Sequence, residues 1–484
     1  MYLFKKNINS IFLTNLIFAF FPASFILGNL AININTLLFC CFGIFQLRSK
    51  IFSTKLDIYI KIISLFFFIV FLSTSISFIR SLFNEGYQYE NLERLIKSIV
   101  FFRFFLMLLI IYLLNEFNII KFKYLFISAT FLSLLLSLDI IFQYFLGFDF
   151  IGLKSHVHYN TGFFGDEIIA GSFLLRFSFF SIFLIAYIFN SKNNLRFALT
   201  TLTISVLGVG VLFSGNRMPL ILFFFGLMFT FLFRIKLKKI ITAGLIVLII
   251  IFNFIFSSNQ IYNDKFKSFF GNAITYGLGQ ITNTSENIKK FENLIFKENI
   301  TAHKKTDWEK LPNLEKEILA HDLDLYWVNR LRPQSQEIGS GHKWLYYTAL
   351  DTWRLHKVFG NGIKSFRIDC GKFIGYPYFR QRLCSSHPHN YYLEILTETG
   401  IAGLSLTIII AVMFLAYLFK NFKFFKGNSL QEYILLSAAI SLFLEFFPLR
   451  STGSLFSTNS ATYIILVASI ILCHKKMIKT ENVQ

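Results

Sequence analysis

The chain has 484 residues, of which 55% are hydrophobic and 15% charged, with a mean hydropathy of +0.57. That is far more apolar surface than a soluble core of this size buries, so the composition excludes an ordinary soluble enzyme and points to lipid. The net charge of +20 is spread between apolar runs rather than gathered in a patch, which excludes nucleic-acid binding.

Sixty-five Phe, with abundant Ile, Asn and Lys, is a bias that an AT-rich genome produces, so part of the basicity is codon drift. The first apolar run, Ile11 to Leu27, follows Lys5 and Lys6 but ends in no convincing small-residue cleavage site, and is read as a retained helix. Crossing about 30 Å of hydrocarbon takes roughly 20 helical residues. Runs near that length follow at 30–47, 57–79, 98–114, 122–146, 169–189, 197–213, 218–233, 240–257, 390–419, 430–447 and 458–473. The expected fold is an all-α integral membrane protein of about twelve transmembrane helices: a first bundle of about nine over 1–257, a large loop at 258–388 and about three more over 389–484.

Lys and Arg alternate between the short connections. One set holds Lys5 and Lys6, then Arg48, Lys50 and Lys55, then Lys121 and Lys123, then Lys192 and Arg196. It continues with Arg234, Lys236, Lys238 and Lys239, then Lys420, Lys423 and Lys426, then Lys475, Lys476 and Lys479. The opposite set offers only Arg94, Lys97, Lys154, Arg217 and Arg450. Both termini are therefore expected on the cytoplasmic side and the 258–388 loop outside. That loop holds all four tryptophans, Trp308, Trp327, Trp344 and Trp353, and segments such as Leu311 to Leu325 and Trp344 to His356 read as amphipathic helices, so a small helical lid is expected. Cys370 and Cys384 also fall in it; in an oxidising compartment they either pair or remain two thiols.

Ionisable groups within spans are costly and usually face a cavity or a partner. Arg103, Asp139, Gln143, Arg176 and Glu445 all lie within a turn or two of the external helix ends, and Arg217 occupies the tight external turn Ser214-Gly215-Asn216-Arg217. Taken singly each has an ordinary reading, as an ion pair such as Arg103 with Asp139 or as a snorkelling side chain. Their shared depth describes a polar cavity open to the outside and lined by guanidinium groups. The planar fork of Arg suits phosphate, and a lipid-linked phosphate is the ligand this pattern favours.

The stretch Ser385-Ser386-His387-Pro388-His389-Asn390-Tyr391-Tyr392 leads from the loop into the next apolar run. Pro388 bars His387 from a helical start, so His389 and Asn390 fall at the helix N-terminus, where an imidazole of near-neutral pKa is suited to take a proton from a sugar hydroxyl. Two other readings stand beside this one: metal ligation by His387 and His389, for which His342, His356 and Cys384 supply no recognisable spacing, and simple interfacial histidines. Gly400 and Gly403 leave room for close backbone contact.

From His389-Asn390, nine residues lead to Gly400, and two more to Gly403. This spacing resembles the signature of the O-antigen ligase and polymerase superfamily, closest to the ligases. Trp353 with Phe359-Gly360-Asn361-Gly362-Ile363, the turn Ser214 to Pro219, and Asp139 to Gly152 are similar to further segments of that family. The resemblance implies a glycosyltransferase of a bacterial inner membrane, independent of metal and cofactor, whose site faces the periplasm. It implies a donor glycan linked to undecaprenyl diphosphate and, as acceptor, lipid A-core or another glycan. His389 is then the candidate base and Arg217 the residue that neutralises the diphosphate, with Arg176, Arg103 and Arg450 added on depth and charge alone. Asn390, Asp139, Gln143, Asp166, His387, Gly400 and Gly403 are expected in support, with no metal site, although Asp166-Glu167 is external. Its rivals are a polymerase joining lipid-linked repeat units, a protein oligosaccharyltransferase, and a flippase, which the outward clustering of charge disfavours.

Overall fold

A computed structural model describes residues 2–52, 54–83, 88–156, 159–260, 263–264, 266–267, 341–373, 382–420 and 429–473. Trp308, Trp327 and the Leu311 to Leu325 segment lie outside the described residues, as do Lys423, Lys426, Lys475, Lys476 and Lys479. The described residues form fifteen α-helices and no strand. In chain order these are α1 (Tyr2–Ala19), α2 (Phe21–Leu27), α3 (Asn29–Leu47), α4 (Ile58–Leu82), α5 (Gln88–Glu116), α6 (Phe122–Leu146), α7 (Ala170–Ile188) and α8 (Asn193–Phe213). There follow α9 (Arg217–Phe233), α10 (Lys238–Ser258), α11 (Gly341–Leu355), α12 (Phe366–Asp369), α13 (Tyr391–Lys420), α14 (Leu430–Glu445) and α15 (Thr458–Leu472).

Local chemistry sets many of the boundaries. Pro22 sits in the first turn of α2, where its missing N–H is tolerated, and α1 bends by 46° into α2. Asp57 caps α4 by accepting from Tyr59 N at 3.3 Å, and Ser429 with Glu432 closes a capping box on α14. Gly147 ends α6 in the left-handed conformation, returning its N–H to Gln143 O.

Among the described residues, eight helices are long and apolar enough to cross a membrane, or nine if the bent α1–α2 pair is one span, so this is a multi-pass membrane protein. Each of the twelve apolar runs carries helix, but α9, α14 and α15 have only 17, 16 and 15 residues. At 1.5 Å per residue they reach about 22–26 Å, short of a straight crossing.

That shortness has a location. At one end of the bundle, Arg234 lies over the Tyr433 ring at 4.4 Å, Arg196 donates to Tyr433 Oη at 3.0 Å, and Asn115 donates to Cys473 O at 3.2 Å. The helices α8, α9 and α14 are therefore level with one another there, and α5 is level with α15. At the other end, Thr458, which opens α15, meets Arg103, a residue 15 positions inside α5. The outer end of α15 thus stops about 22 Å of helix short of the start of α5. Arg176, six residues into α7, reaches Asn459 and Glu445 at the same level.

Candidate active site

Asn390 caps α13, accepting through Oδ1 from Tyr392 N at 3.0 Å and Leu393 N at 3.2 Å, while its Nδ2 donates to Pro448 O at 2.8 Å. His389, one residue earlier, has φ +56°, a left-handed conformation that costs a non-glycine residue roughly 1–2 kcal/mol. The segment between α14 and α15 holds it there: Thr452 N donates to His389 O at 2.9 Å, and His389 Nδ1 lies 3.2 Å from Thr452 O. A carbonyl only accepts, so Nδ1 carries the proton and the lone pair of the ring is on Nε2. His387 Nε2 approaches the same carbonyl at 3.3 Å, and the two imidazole centroids are 4.2 Å apart.

The next residue ties this corner to a buried charge network. Tyr391 donates to Glu445 Oε1 at 2.8 Å. The same carboxylate takes Arg176 Nη2 at 2.7 Å and Nε at 3.1 Å, and Arg450 Nη1 at 2.7 Å. Arg176 also donates to Asn459 and lies over the Tyr463 ring at 4.5 Å. The side chains of Glu445, Arg450 and Arg176 are 0%, 5% and 10% exposed, so two guanidinium groups share one carboxylate away from solvent.

Two turns further along α13 the helix breaks at Gly400, where φ is +67°. Backbone groups opened by a break at membrane depth need partners, and residues 357–362 supply them. Ile401 N and Ala402 N donate to the carbonyls of Lys357 and Val358 at 2.9 and 3.0 Å. In return Gly362 N donates to Glu398 O at 2.8 Å and Asn361 N to Thr397 O at 3.3 Å. A Cβ on Gly400 would lie 2.6 Å from Gly360 N, so only glycine fits. The wedge is itself held from below: Asn361 accepts from Ser77 Oγ at 2.9 Å and donates to Asp369 Oδ2 at 2.7 Å, and the buried Arg94 donates to Asn361 O at 2.9 Å. Glu398 Oε2 accepts Lys364 N at 2.6 Å, and Glu394 accepts Ser454 Oγ at 2.5 Å and Leu455 N at 2.6 Å. Outside the spans, burial, then Arg367 and Lys97, lower the Lys364 pKa, and burial, then the Arg80 guanidinium, lower that of His356.

The remaining expected residues divide. Asp139 and Gln143 are fully buried and brace the segment after α6: Asp139 Oδ1 accepts Phe150 N at 2.8 Å, and Gln143 binds Gly162 N at 2.9 Å and Leu153 O at 3.1 Å. Arg103 therefore does not take Asp139 as partner; it donates to Thr458 Oγ1 at 3.1 Å and lies over the Phe104 ring. Asp166 is an exposed neighbour of His156, 3.8 Å away. Arg217 opens α9 behind Asn216, whose amide accepts Gly171 N at 3.2 Å and so ties the turn to the start of α7, the helix of Arg176. Gly403 packs against the Thr399 side chain beside the break. Cys370 and Cys384 form a disulfide, and Cys384 directly precedes the segment that carries His387.

Beneath Asn390 lies a cavity of about 420 Å³ between α4, α5, α13, α14 and α15. Tyr392, Phe446, Pro448 and Leu455 line its site end and Tyr59 and Leu472 the opposite end, and its walls are almost wholly apolar.

Residues 202–408 match the family model described as O-antigen ligase. The resemblance to the O-antigen ligase and polymerase superfamily carried by His389 to Gly403 is thereby borne out. No curated protein matches the chain. The matched span runs from α8 to the middle of α13 and takes in Arg217, the wedge, His389, Gly400 and Gly403. Thr452, which bonds His389, and Glu445, which bonds Tyr391 and Arg450, lie beyond it, as does Arg450 itself. Sequence reasoning passed over Thr452, which acts through backbone atoms that no side chain signals, and gave no role to Arg94 or Asn361. Glu394 and Glu398, four apart in an otherwise apolar run, were the readable signal it left unused.

Proposed function

We propose that the protein transfers a glycan from undecaprenyl diphosphate to lipid A-core at the periplasmic face of a bacterial inner membrane. The observation that carries this reading is the continuous path from His389 through Tyr391 to Glu445, Arg176 and Arg450, which puts a base and fixed positive charge at one helix end. The acceptor hydroxyl attacks the anomeric carbon, His389 Nε2 takes its proton, and the bond from that carbon to the diphosphate oxygen breaks. The departing diphosphate gains negative charge, and with two guanidinium groups on one carboxylate the site keeps one unit of positive charge to meet it. Arg217, at the start of the neighbouring α9, is a further ligand of that diphosphate, and Arg103 lines the same level. The apolar cavity beneath Asn390 suits the hydrocarbon tail of a lipid-linked substrate.

Lipopolysaccharide from a deletion strain tests the assignment. Loss of all attached O-chain with accumulation of lipid-linked polymer supports ligation, whereas attachment of a single repeat unit identifies a polymerase. His389→Ala is expected to fail to restore banding at normal expression, and restoration overturns the catalytic role of His389. Arg217→Lys keeps the charge but loses the fork of donors, and is expected to be severely impaired.

A further inference from the structure

We propose that His387 is a positioning residue for the transfer step: together with the Thr452 carbonyl, it locks His389 in the tautomer and ring orientation that a base requires. The inference rests on the reading of His389 as that base. A histidine ring has a broad, roughly two-fold torsion about its last bond, and a flip swaps Nδ1 with Cδ2 and Nε2 with Cε1, so that a carbon replaces the donor that faces the carbonyl. In the flipped state the lone pair points away from the substrate side, so an unlocked ring is active only part of the time.

Three contacts work against the flip. His389 Nδ1 donates to Thr452 O at 3.2 Å. His387 Nε2 donates to the same oxygen at 3.3 Å, so two rings converge on the two lone pairs of one carbonyl. The His387 ring also lies against His389, with centroids 4.2 Å apart and planes inclined by 49°. His387 is fixed in turn. Ser386 Oγ lies 2.9 Å from its Nδ1, and with Nε2 carrying the proton that Nδ1 accepts from the hydroxyl. Thr452 is held on its other side as well, through its N–H to His389 O at 2.9 Å. Pro388 between the histidines is buried and restricts His387 to extended conformations, which keeps the pair from separating. A left-handed His389 is a further sign that its placement is imposed by these neighbours.

The experiment uses the full-length protein in lipid nanodiscs, with undecaprenyl-diphosphate-linked oligosaccharide as donor and purified lipid A-core as acceptor. His387→Phe keeps a ring against His389 but cannot donate. His387→Gln places an amide N–H as far from the backbone as Nε2 and can donate. The expected result is that His387→Phe lowers kcat by roughly ten- to a hundredfold with the donor KM unchanged, and that His387→Gln recovers most of the loss. Wild-type kcat in His387→Phe, or equal loss in both variants, overturns the inference while an inactive His389→Ala leaves the base assignment standing. Full activity in His389→Ala overturns both.

Discussion

Tyr391 and Glu445 meet across 2.8 Å where α13 joins the buried cations Arg176 and Arg450. Glu445 is the hub. It is 1% exposed and accepts from three side chains, two of them charged. Replacing it by Gln removes the negative charge between two guanidinium groups that have little access to water. Breaking a buried ion pair by removing one partner costs about 3–5 kcal/mol. Glu445→Gln is therefore expected to lower the thermal unfolding midpoint in detergent clearly. Tyr391→Phe, which leaves the ion pairs in place, is expected to lower it less. Equal midpoints for the two variants refute the hub.

At Gly400 the two halves of α13 are joined by a residue whose φ of +67° and crowding by Val358 and Gly360 admit no side chain. Gly400→Ala is expected to expel the 357–362 wedge, leaving several backbone groups without partners, and so to cost both stability and activity by several kcal/mol in total. Gly403→Ala has no left-handed φ to strain and leaves the 357–362 wedge in place, although its Cβ would fall 2.5 Å from that of the buried Thr399, so it is expected to cost less than Gly400→Ala. Comparing the two variants by thermal unfolding and by O-chain banding checks the ranking.

How much of this was legible beforehand follows from the physics of each feature. The all-helical fold came from apolar runs, whose length is a direct consequence of membrane thickness, and every run from Ile11 to Cys473 does carry helix. The short spans α9, α14 and α15 were not distinguishable, because hydropathy continues past a helix end where the chain turns within protein. His389 and Asn390 were placed correctly at a helix start by Pro388 alone. The role of Phe359 to Ile363 was not readable, since its bonds to α13 are backbone to backbone and leave only glycines behind. Depth placed Arg176 and Glu445 together, yet it suggested Asp139 as a partner for Arg103. Asp139 instead holds Phe150 N, because a carboxylate beside a turn finds backbone N–H groups closer than a guanidinium one helix away.

The disulfide between Cys370 and Cys384 anchors the segment that enters His387, and Cys370 packs in a small cluster with Leu345, Phe366 and Leu393 of α13. Its link spans 14 residues, and a loop of that size contributes about 3 kcal/mol by restricting the unfolded chain. The double variant Cys370→Ser, Cys384→Ser is expected to unfold several degrees earlier than the wild type and to be indifferent to dithiothreitol. The wild type is expected to fall to the level of the variant when reduced. A wild-type midpoint that ignores reductant would show that the link carries no stability.

His356 gives a pH dependence of definite sign. Burial, then the Arg80 guanidinium whose Nη1 lies 2.9 Å from its Nδ1, lowers its folded pKa below the ordinary value of 6.5. The folded state then binds fewer protons than the unfolded state between the two values, so stability rises with pH through that window. Above about 6.5 both states hold a neutral ring and the effect vanishes. As pH falls through 6.5 the unfolded chain gains a proton that the folded chain refuses, and the loss is complete below the folded pKa. The wild-type unfolding midpoint should therefore decline, as pH falls below about 6.5, more steeply than that of His356→Gln, which cannot titrate. The Gln amide can still accept from Arg80, so the two proteins are expected to converge above pH 7. Parallel curves throughout would remove His356 as the source of the acid sensitivity.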